Sequence, residues 1–304
     1  MAMDELYRRQ VALLLRVLPH VAVENCFALK GGTAINLFLR DLPRLSVDID
    51  LTYLPVAPRP ESLAEIDAAM KRIAGRIRRG LGARVMKAKL AHEEAVTRLL
   101  VRHGGIQIKL EVTPVLRGCV YDPAPCSVSP AVEEIFGYAE INVVSFADLF
   151  GGKIIAALDR QHPRDLFDVR ELLTHEGIDN DLRRAVIVYL LSHNRPMSEV
   201  LAPSLKDISS EFERGFIGMT SQPLQLDDLI EARASLIAAV IGEMPEEHRA
   251  FLLSFERGSP DWPLLGLSGV ENLPAVRWRQ YNLDKLRPSE RAALVRRLEK
   301  VLQR

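Results

Sequence analysis

The chain is short of cysteine, lacks a long apolar run and has no surplus charge of either sign, and each of these removes a class of function. Cys26, Cys119 and Cys126 form neither a CxxC pair nor an even disulfide framework, which leaves inert thiols in a reducing compartment. No stretch of about 18 uncharged apolar residues appears, so no membrane-spanning helix is expected. The opening MAMDELYRRQ has early acids and no apolar core, so no secretory signal is expected and the cytoplasm is the expected compartment. Lys and Arg number 40 against 40 Asp and Glu, so any polyanion site must come from local clustering. His20, His92, His103, His162, His175, His193 and His248 do not fall into metal-ligand spacing. Neither a Gly-x-Ser-x-Gly nor a P-loop pattern occurs.

What is present is a chain of 304 residues, 48% hydrophobic and 26% charged, long enough for one large domain or two lobes. Apolar spacing predicts helices over 4–19, 61–81, 145–160 and 163–173, the last opened by Pro163 in its first turn. Alternation predicts strands over 45–51, 96–101 and 105–115, and the proline-bearing stretch 121–130 reads as irregular. Beyond about residue 180 the stripes are helical. The expected fold class is therefore α+β: a mixed sheet flanked by helices over 1–178, then a predominantly helical domain over 179–304.

The chemistry concentrates on two strands. In Leu45-Ser46-Val47-Asp48-Ile49-Asp50-Leu51, alternate side chains share a face, so Asp48 and Asp50 point together away from the core. Adjacent carboxylates repel, and a hard cation such as Mg²⁺ relieves the repulsion by taking oxygen ligands from both. A bare Asp-x-Asp is ordinarily only acidic decoration. Here a second strand, Ile106 to Thr113, repeats the alternation and puts Lys109, Glu111 and Thr113 on one face. Paired in register with the first, it brings Glu111 to a three-carboxylate cluster suited to two Mg²⁺ ions roughly 3.5–4 Å apart, as used for nucleotidyl displacement from an NTP. Lys109 on that face, near a triphosphate, is a nucleotide-binding candidate.

Gly31-Gly32-Thr33 precedes a helix. Glycines admit close backbone approach, and Thr33 can cap the helix or donate its hydroxyl to a phosphate. Farther on, Lys153 is followed by Asp165 and Asp168, which share a helix face at i,i+3. The group can position a nucleotide, or it can be a helix–helix salt bridge. For RNA, residues 71–89 contain Arg76, Arg78, Arg79 and Arg84 among eight cations and no acid. A second basic segment near the C-terminus carries Trp278 and Tyr281, which can stack on unpaired bases. Both patches can equally be solvated helix faces with aromatics in the core.

In order along the chain, Gly31-Gly32-Thr33, Ser46-Val47-Asp48-Ile49-Asp50-Leu51, Lys109-Leu110-Glu111-Val112-Thr113, Lys153 and Arg164-Asp165-Leu166-Phe167-Asp168 resemble the AbiEii/AbiGii toxin family (MenT-like), a branch of the DNA polymerase beta-like nucleotidyltransferases. The resemblance implies the nucleotidyltransferase fold, Mg²⁺ on Asp48, Asp50 and Glu111, and a second part of the active site from Lys153 and Asp168 with Asp165 nearby. Glu111 stands where other members often carry Asp. It further implies a toxin of a toxin–antitoxin or phage-defence system with a cognate antitoxin, transferring a nucleotide from an NTP to RNA at the 3′ end of tRNA and blocking translation. In relatives with a kinase-like antitoxin, a phosphate at the position of Ser46 obstructs the triphosphate site. Two other readings stand beside it: a nucleotidyltransferase acting on a protein or small molecule, and a catalytically silent nucleotide-binding partner protein.

Overall fold

The structure, a computed structural model, describes residues 5–89 and 95–303; His92 lies outside them. The chain divides into two compact units, Met1–Ser145 with Gly218–Pro223, and Phe146–Ile217 with Leu224–Arg304. The expected boundary at 178 therefore falls inside the second unit.

In the first unit, α1 (Glu5–Ala22) leads into β1 (Phe27–Lys30), a helical turn α2 (Gly31–Ala34) continued by a wider π-type turn over Ile35–Leu39, and β2 (Asp48–Tyr53). There follow α3 (Arg59–Leu81), β3 (Arg84–Lys89), β4 (Val96–His103), β5 (Ile106–Arg117), β6 (Ala124–Ser127), α4 (Pro130–Phe136) and β7 (Glu140–Val143). The seven strands form one sheet in the order β3-β4-β5-β2-β1-β7-β6. It is mixed: β2 runs parallel to β5 and β1 parallel to β7, and the remaining neighbours are antiparallel. Helices α1 and α3 pack on the sheet. Their apolar stripes, Val11, Leu14, Leu18 and Val21 on α1 and Ile66, Ile73 and Ile77 on α3, are fully buried. Proline near the start of α3 and Gly82 in the left-handed conformation after it set its ends.

Burial fixes the register of the central strands. Ile49 and Leu51 of β2, and Leu110 and Val112 of β5, are almost wholly buried, while Asp48, Asp50, Lys109 and Glu111 alternate with them. A slip of one residue would bury the charges and expose the aliphatics, forfeiting roughly 1.5–3 kcal/mol for each of the latter.

Two edge strands depart from the expectation. Residues 84–89 form β3 and not only a basic segment, and 124–127 form β6 within the stretch expected to be irregular. Both lie at sheet edges, where cations and proline are tolerated because one side of the strand needs no ladder partner.

The second unit is helical: α5 (Phe146–Arg160), α6 (Pro163–His175), α7 (Asn180–Leu191), α8 (Met197–Leu201), α9 (Ser209–Gly215), α10 (Leu226–Ile237), α11 (Glu246–Glu256), α12 (Pro274–Asp284) and α13 (Pro288–Leu302). Helix α5 packs on α6 and α7, α10 on α6, and α11 on α13. The Asp179 carboxylate caps α7 by accepting from the Leu182 amide at 2.8 Å, and the His162 ring caps α6 by accepting from the Arg164 amide. Among the described residues, no helix is long and apolar enough to cross a membrane.

Candidate active site

The parallel pairing of β2 and β5 sets Asp48 opposite Lys109 and Asp50 opposite Glu111, so all four charged side chains share one face. The Lys109 ammonium stands 3.4 Å from the Asp48 carboxylate and 3.1 Å from that of Glu111. Arg98 of β4 closes the row, 2.7 Å from the other oxygen of Glu111. On the opposite flank, Lys30 at the end of β1 pairs with Asp50.

The electrostatics are uneven along this row. Burial pushes the Asp50 carboxyl above its ordinary pKa; Lys109 and Lys30 oppose that shift, and the neighbouring charges of Asp48 and Glu111 add to it. Burial likewise lowers the pKa of Lys30 in spite of Asp50. Burial works against charge on Glu111 as well, but its hydrogen bonds from Arg98 and Lys109 outweigh it and hold the pKa down. For Lys109, burial is outweighed by Asp48 and Glu111, and its pKa is raised. Asp50 is thus less well compensated than Glu111.

That imbalance bears on whether a divalent cation fits. Asp48 and Asp50 offer hard oxygen donors from one strand face, and added positive charge there offsets what burial and like charge cost Asp50. Glu111 is differently placed, since both its oxygens are engaged by cations. Among the described residues, no three acids, histidines or cysteines come together as a group that could hold a metal ion. Asp48 and Asp50 thus offer a cation oxygens from one strand face, and Glu111, opposite Asp50 on that face, has both its oxygens on cations.

The glycines are explained by the protein's own side chains. Gly31 has φ +77°, and a β-carbon there would stand 2.8 Å from the Asp50 Oδ2 oxygen. A β-carbon on Gly32 would come within 2.7 Å of the Arg44 guanidinium and 2.8 Å of the Ser46 hydroxyl. Thr33 is not the helix cap; Lys30 holds that position without a side-chain bond. The Thr33 hydroxyl donates to the Asp48 carbonyl at 2.5 Å and lies 3.2 Å from the Ser46 hydroxyl. The turn is thereby tied to β2, and Gly31, Gly32, Thr33, Ser46, Asp48, Asp50, Lys109 and Glu111 gather in the first unit.

Lys153, Asp165 and Asp168 gather in the second. The buried Lys153 ammonium lies 2.8 Å from Asp165 and 3.0 Å from Asp168, and Arg160 reaches the other oxygen of Asp165 at 2.8 Å. Burial opposes charge on Asp165, but Lys153 and Arg160 hold its pKa down. This is a charge-balanced clamp between α5 and α6.

The basic segment is partly spent internally. Arg72 and Arg76 both clasp the buried Glu24, at 2.6 and 2.5 Å, and Arg78 donates to the Val85 carbonyl. Arg79 and Arg84 are exposed.

Arg98, Lys30 and the buried Arg44 were not singled out from sequence. Arg98 had a usable signal. Gly104 and Gly105 make a two-residue turn with positive φ between paired His103 and Ile106, and counting back along that hairpin puts Arg98 opposite Glu111.

The fold is similar to that of MenT4, a nucleotidyltransferase toxin from Mycobacterium tuberculosis H37Rv, with TM-score 0.56 and 17% identity over 91% of this chain and 92% of that one. No curated protein sequence matches. The family described as nucleotidyl transferase AbiEii toxin of type IV toxin–antitoxin systems matches residues 12–280, most of the chain. The chain belongs to this AbiEii family and is a nucleotidyltransferase toxin.

Proposed function

We propose that this toxin transfers a nucleoside monophosphate from an NTP to RNA at the 3′ end of tRNA, blocking translation, and that it acts in the cytoplasm under a cognate antitoxin. The observation that carries the reading is the face shared by Asp48 and Asp50, with Asp50 left under-compensated beside Lys109 and Glu111. Asp48 and Asp50, with Glu111 on the same face, would hold Mg²⁺, which would supply positive charge for the triphosphate and the attacking hydroxyl. Glu111 completes the acidic face, and its pairs with Arg98 and Lys109 set how much negative charge the site presents. Lys109, beside Asp48, is placed to meet a phosphate, and Lys30 adds positive charge by Asp50.

Gly31, Gly32 and Thr33 shape the phosphate-facing turn, and Ser46 lies against it, so a phosphate on Ser46 puts two negative charges beside Asp48 and silences transfer. Lys153, Asp165 and Asp168 act as positioning residues for the nucleotide by bracing α5 on α6.

The test is incubation with each labelled NTP, Mg²⁺ and total cellular RNA. Label on the 3′ end of tRNA, lost in Asp50→Ala, supports the reading. Label on protein or a small molecule moves the acceptor elsewhere, and NTP binding without transfer makes the chain a silent binding partner; either outcome overturns the proposal.

A further inference from the structure

Four strands lay a row of charge across the face that carries the aspartates. The register sets Arg98 of β4 opposite Glu111 of β5, Glu111 opposite Asp50 of β2, and Asp50 opposite Lys30 of β1. Across the sheet the order is cation, acid, acid, cation. Arg98 shares the face of Glu111 because directly paired residues point to the same side, and its neighbour Leu99 is wholly buried on the other. Adjacent strands stand about 4.8 Å apart, so Glu111 has Arg98 and Asp50 at equal reach on its two flanks.

Like charges directly opposite each other are unfavourable, and Glu111 takes the cation on its outer flank. One of its oxygens lies 2.7 Å from Arg98 and the other 3.1 Å from Lys109. Lys109 also stands 3.4 Å from Asp48, so an ammonium of the protein's own lies between those two carboxylates. Three acids on one face could converge on a single ion, yet among the described residues no three acids, histidines or cysteines do so. An ion pair with one side chain 46% exposed and the other 27% adds little stability. Its effect is to fix where the Glu111 carboxylate points.

We propose that Arg98 is a positioning residue that holds the Glu111 carboxylate off the aspartate pair, so that a divalent cation in the resting toxin meets Asp48 and Asp50 alone and Glu111 joins them only when Arg98 is withdrawn. The inference rests on the aspartate pair taking a divalent cation. Its rival is that Arg98 acts through its charge alone. Removing Arg98 would then tighten cation binding whether or not Glu111 carries a charge, and by only about twofold across several ångströms of wet surface. If Arg98 instead aims Glu111, its removal frees a carboxylate oxygen, and a gain of about tenfold requires that carboxylate.

Mn²⁺ is titrated into the full chain without NTP, and the electron paramagnetic resonance signal of the free ion gives the affinity. The proteins are wild type, Arg98→Met, Arg98→Lys, Glu111→Gln and Arg98→Met combined with Glu111→Gln, each checked for folding by thermal melting. Arg98→Met should bind Mn²⁺ about tenfold more tightly than wild type. The same change made in Glu111→Gln should tighten binding by no more than about twofold. Arg98→Lys, which keeps a cation beside Glu111, should stay within about twofold of wild type. Equal tightening with and without the Glu111 carboxylate, or no tightening in Arg98→Met, overturns the inference. If either result comes while Asp48→Asn with Asp50→Asn abolishes binding, the aspartate reading stands and Arg98 alone is misassigned. Mn²⁺ binding that survives the double aspartate change overturns that reading and, with it, the role given to Arg98.

Discussion

Gly31 and Asp50 lie back to back: a β-carbon on the glycine, whose φ is +77°, would stand 2.8 Å from the Asp50 Oδ2 oxygen. Gly31→Ala therefore meets two obstacles. The left-handed backbone alone costs about 1–2 kcal/mol, and the added methyl displaces the Asp50 carboxylate, which burial already disfavours. Gly32→Ala meets the far end of Arg44 and the Ser46 hydroxyl at an ordinary φ. The expected order is a larger loss of both stability and transfer in Gly31→Ala than in Gly32→Ala, read by urea denaturation and NTP labelling. Equal behaviour of the two variants contradicts it.

Asp50 and Glu111 give stability opposite dependences on pH. The Asp50 pKa is raised in the folded chain, so its burial costs nothing below the ordinary aspartate pKa and costs progressively more as pH rises through the folded value. The Glu111 pKa is lowered, so its contribution is present above the ordinary glutamate pKa and is lost as pH falls through the folded value. In metal-free buffer Asp50→Asn should be more stable than wild type near pH 7, the gap closing toward about pH 4. Glu111→Gln should be less stable near pH 7 and converge on acidification. Thermal melts across that range check both, and an Asp50→Asn protein destabilised at every pH refutes the burial argument.

Lys153→Met removes the cation that Asp165 and Asp168 share, while Arg160 still reaches the first of them. Breaking one side of a buried ion cluster costs about 3–5 kcal/mol. Replacing Lys153 and Asp168 together by Met and Leu should recover part of that loss. If Lys153 positions the nucleotide, the double variant regains stability while KM for NTP stays high. Transfer that recovers with stability would reduce Lys153 to a structural clamp.

The cations of α3 and β3 should separate into two kinds. Arg76→Ala frees the buried Glu24 from one partner and should lower stability with little effect on RNA affinity. Arg79→Ala and Arg84→Ala, at exposed positions, should leave stability alone and reduce the salt slope of RNA binding by about one each. Filter binding at several salt concentrations distinguishes the two. An unchanged slope in both Arg79→Ala and Arg84→Ala removes this surface from RNA recognition.

The central strands and the helices 146–160 and 163–175 were legible because their periodicity reports burial directly, and the same alternation put Asp48 with Asp50, and Lys109 with Glu111, on one face of each strand, which the pairing of the strands then joins. Edge strands hide from that signal. Strand β3 carries Arg84 and Lys87 at its exposed positions and β6 contains Pro125, so both read as something else. Pairings that depend on register across a hairpin, such as Arg98 with Glu111, need a count from the Gly104-Gly105 turn. The unit boundary ahead of Phe146 was invisible for a different reason: what assigns α5 and α6 to the helical unit is their packing on α7 and α10, which involves residues far along the chain.

The claim on which the account turns is that Asp48 and Asp50 hold a divalent cation, and Mn²⁺ titration followed by electron paramagnetic resonance tests it most directly. Wild type should show saturable binding that Mg²⁺ displaces. Asp48→Asn with Asp50→Asn should lose it while remaining folded, and Lys153→Met should keep it. Saturable Mn²⁺ binding undiminished in the double aspartate variant would contradict the account.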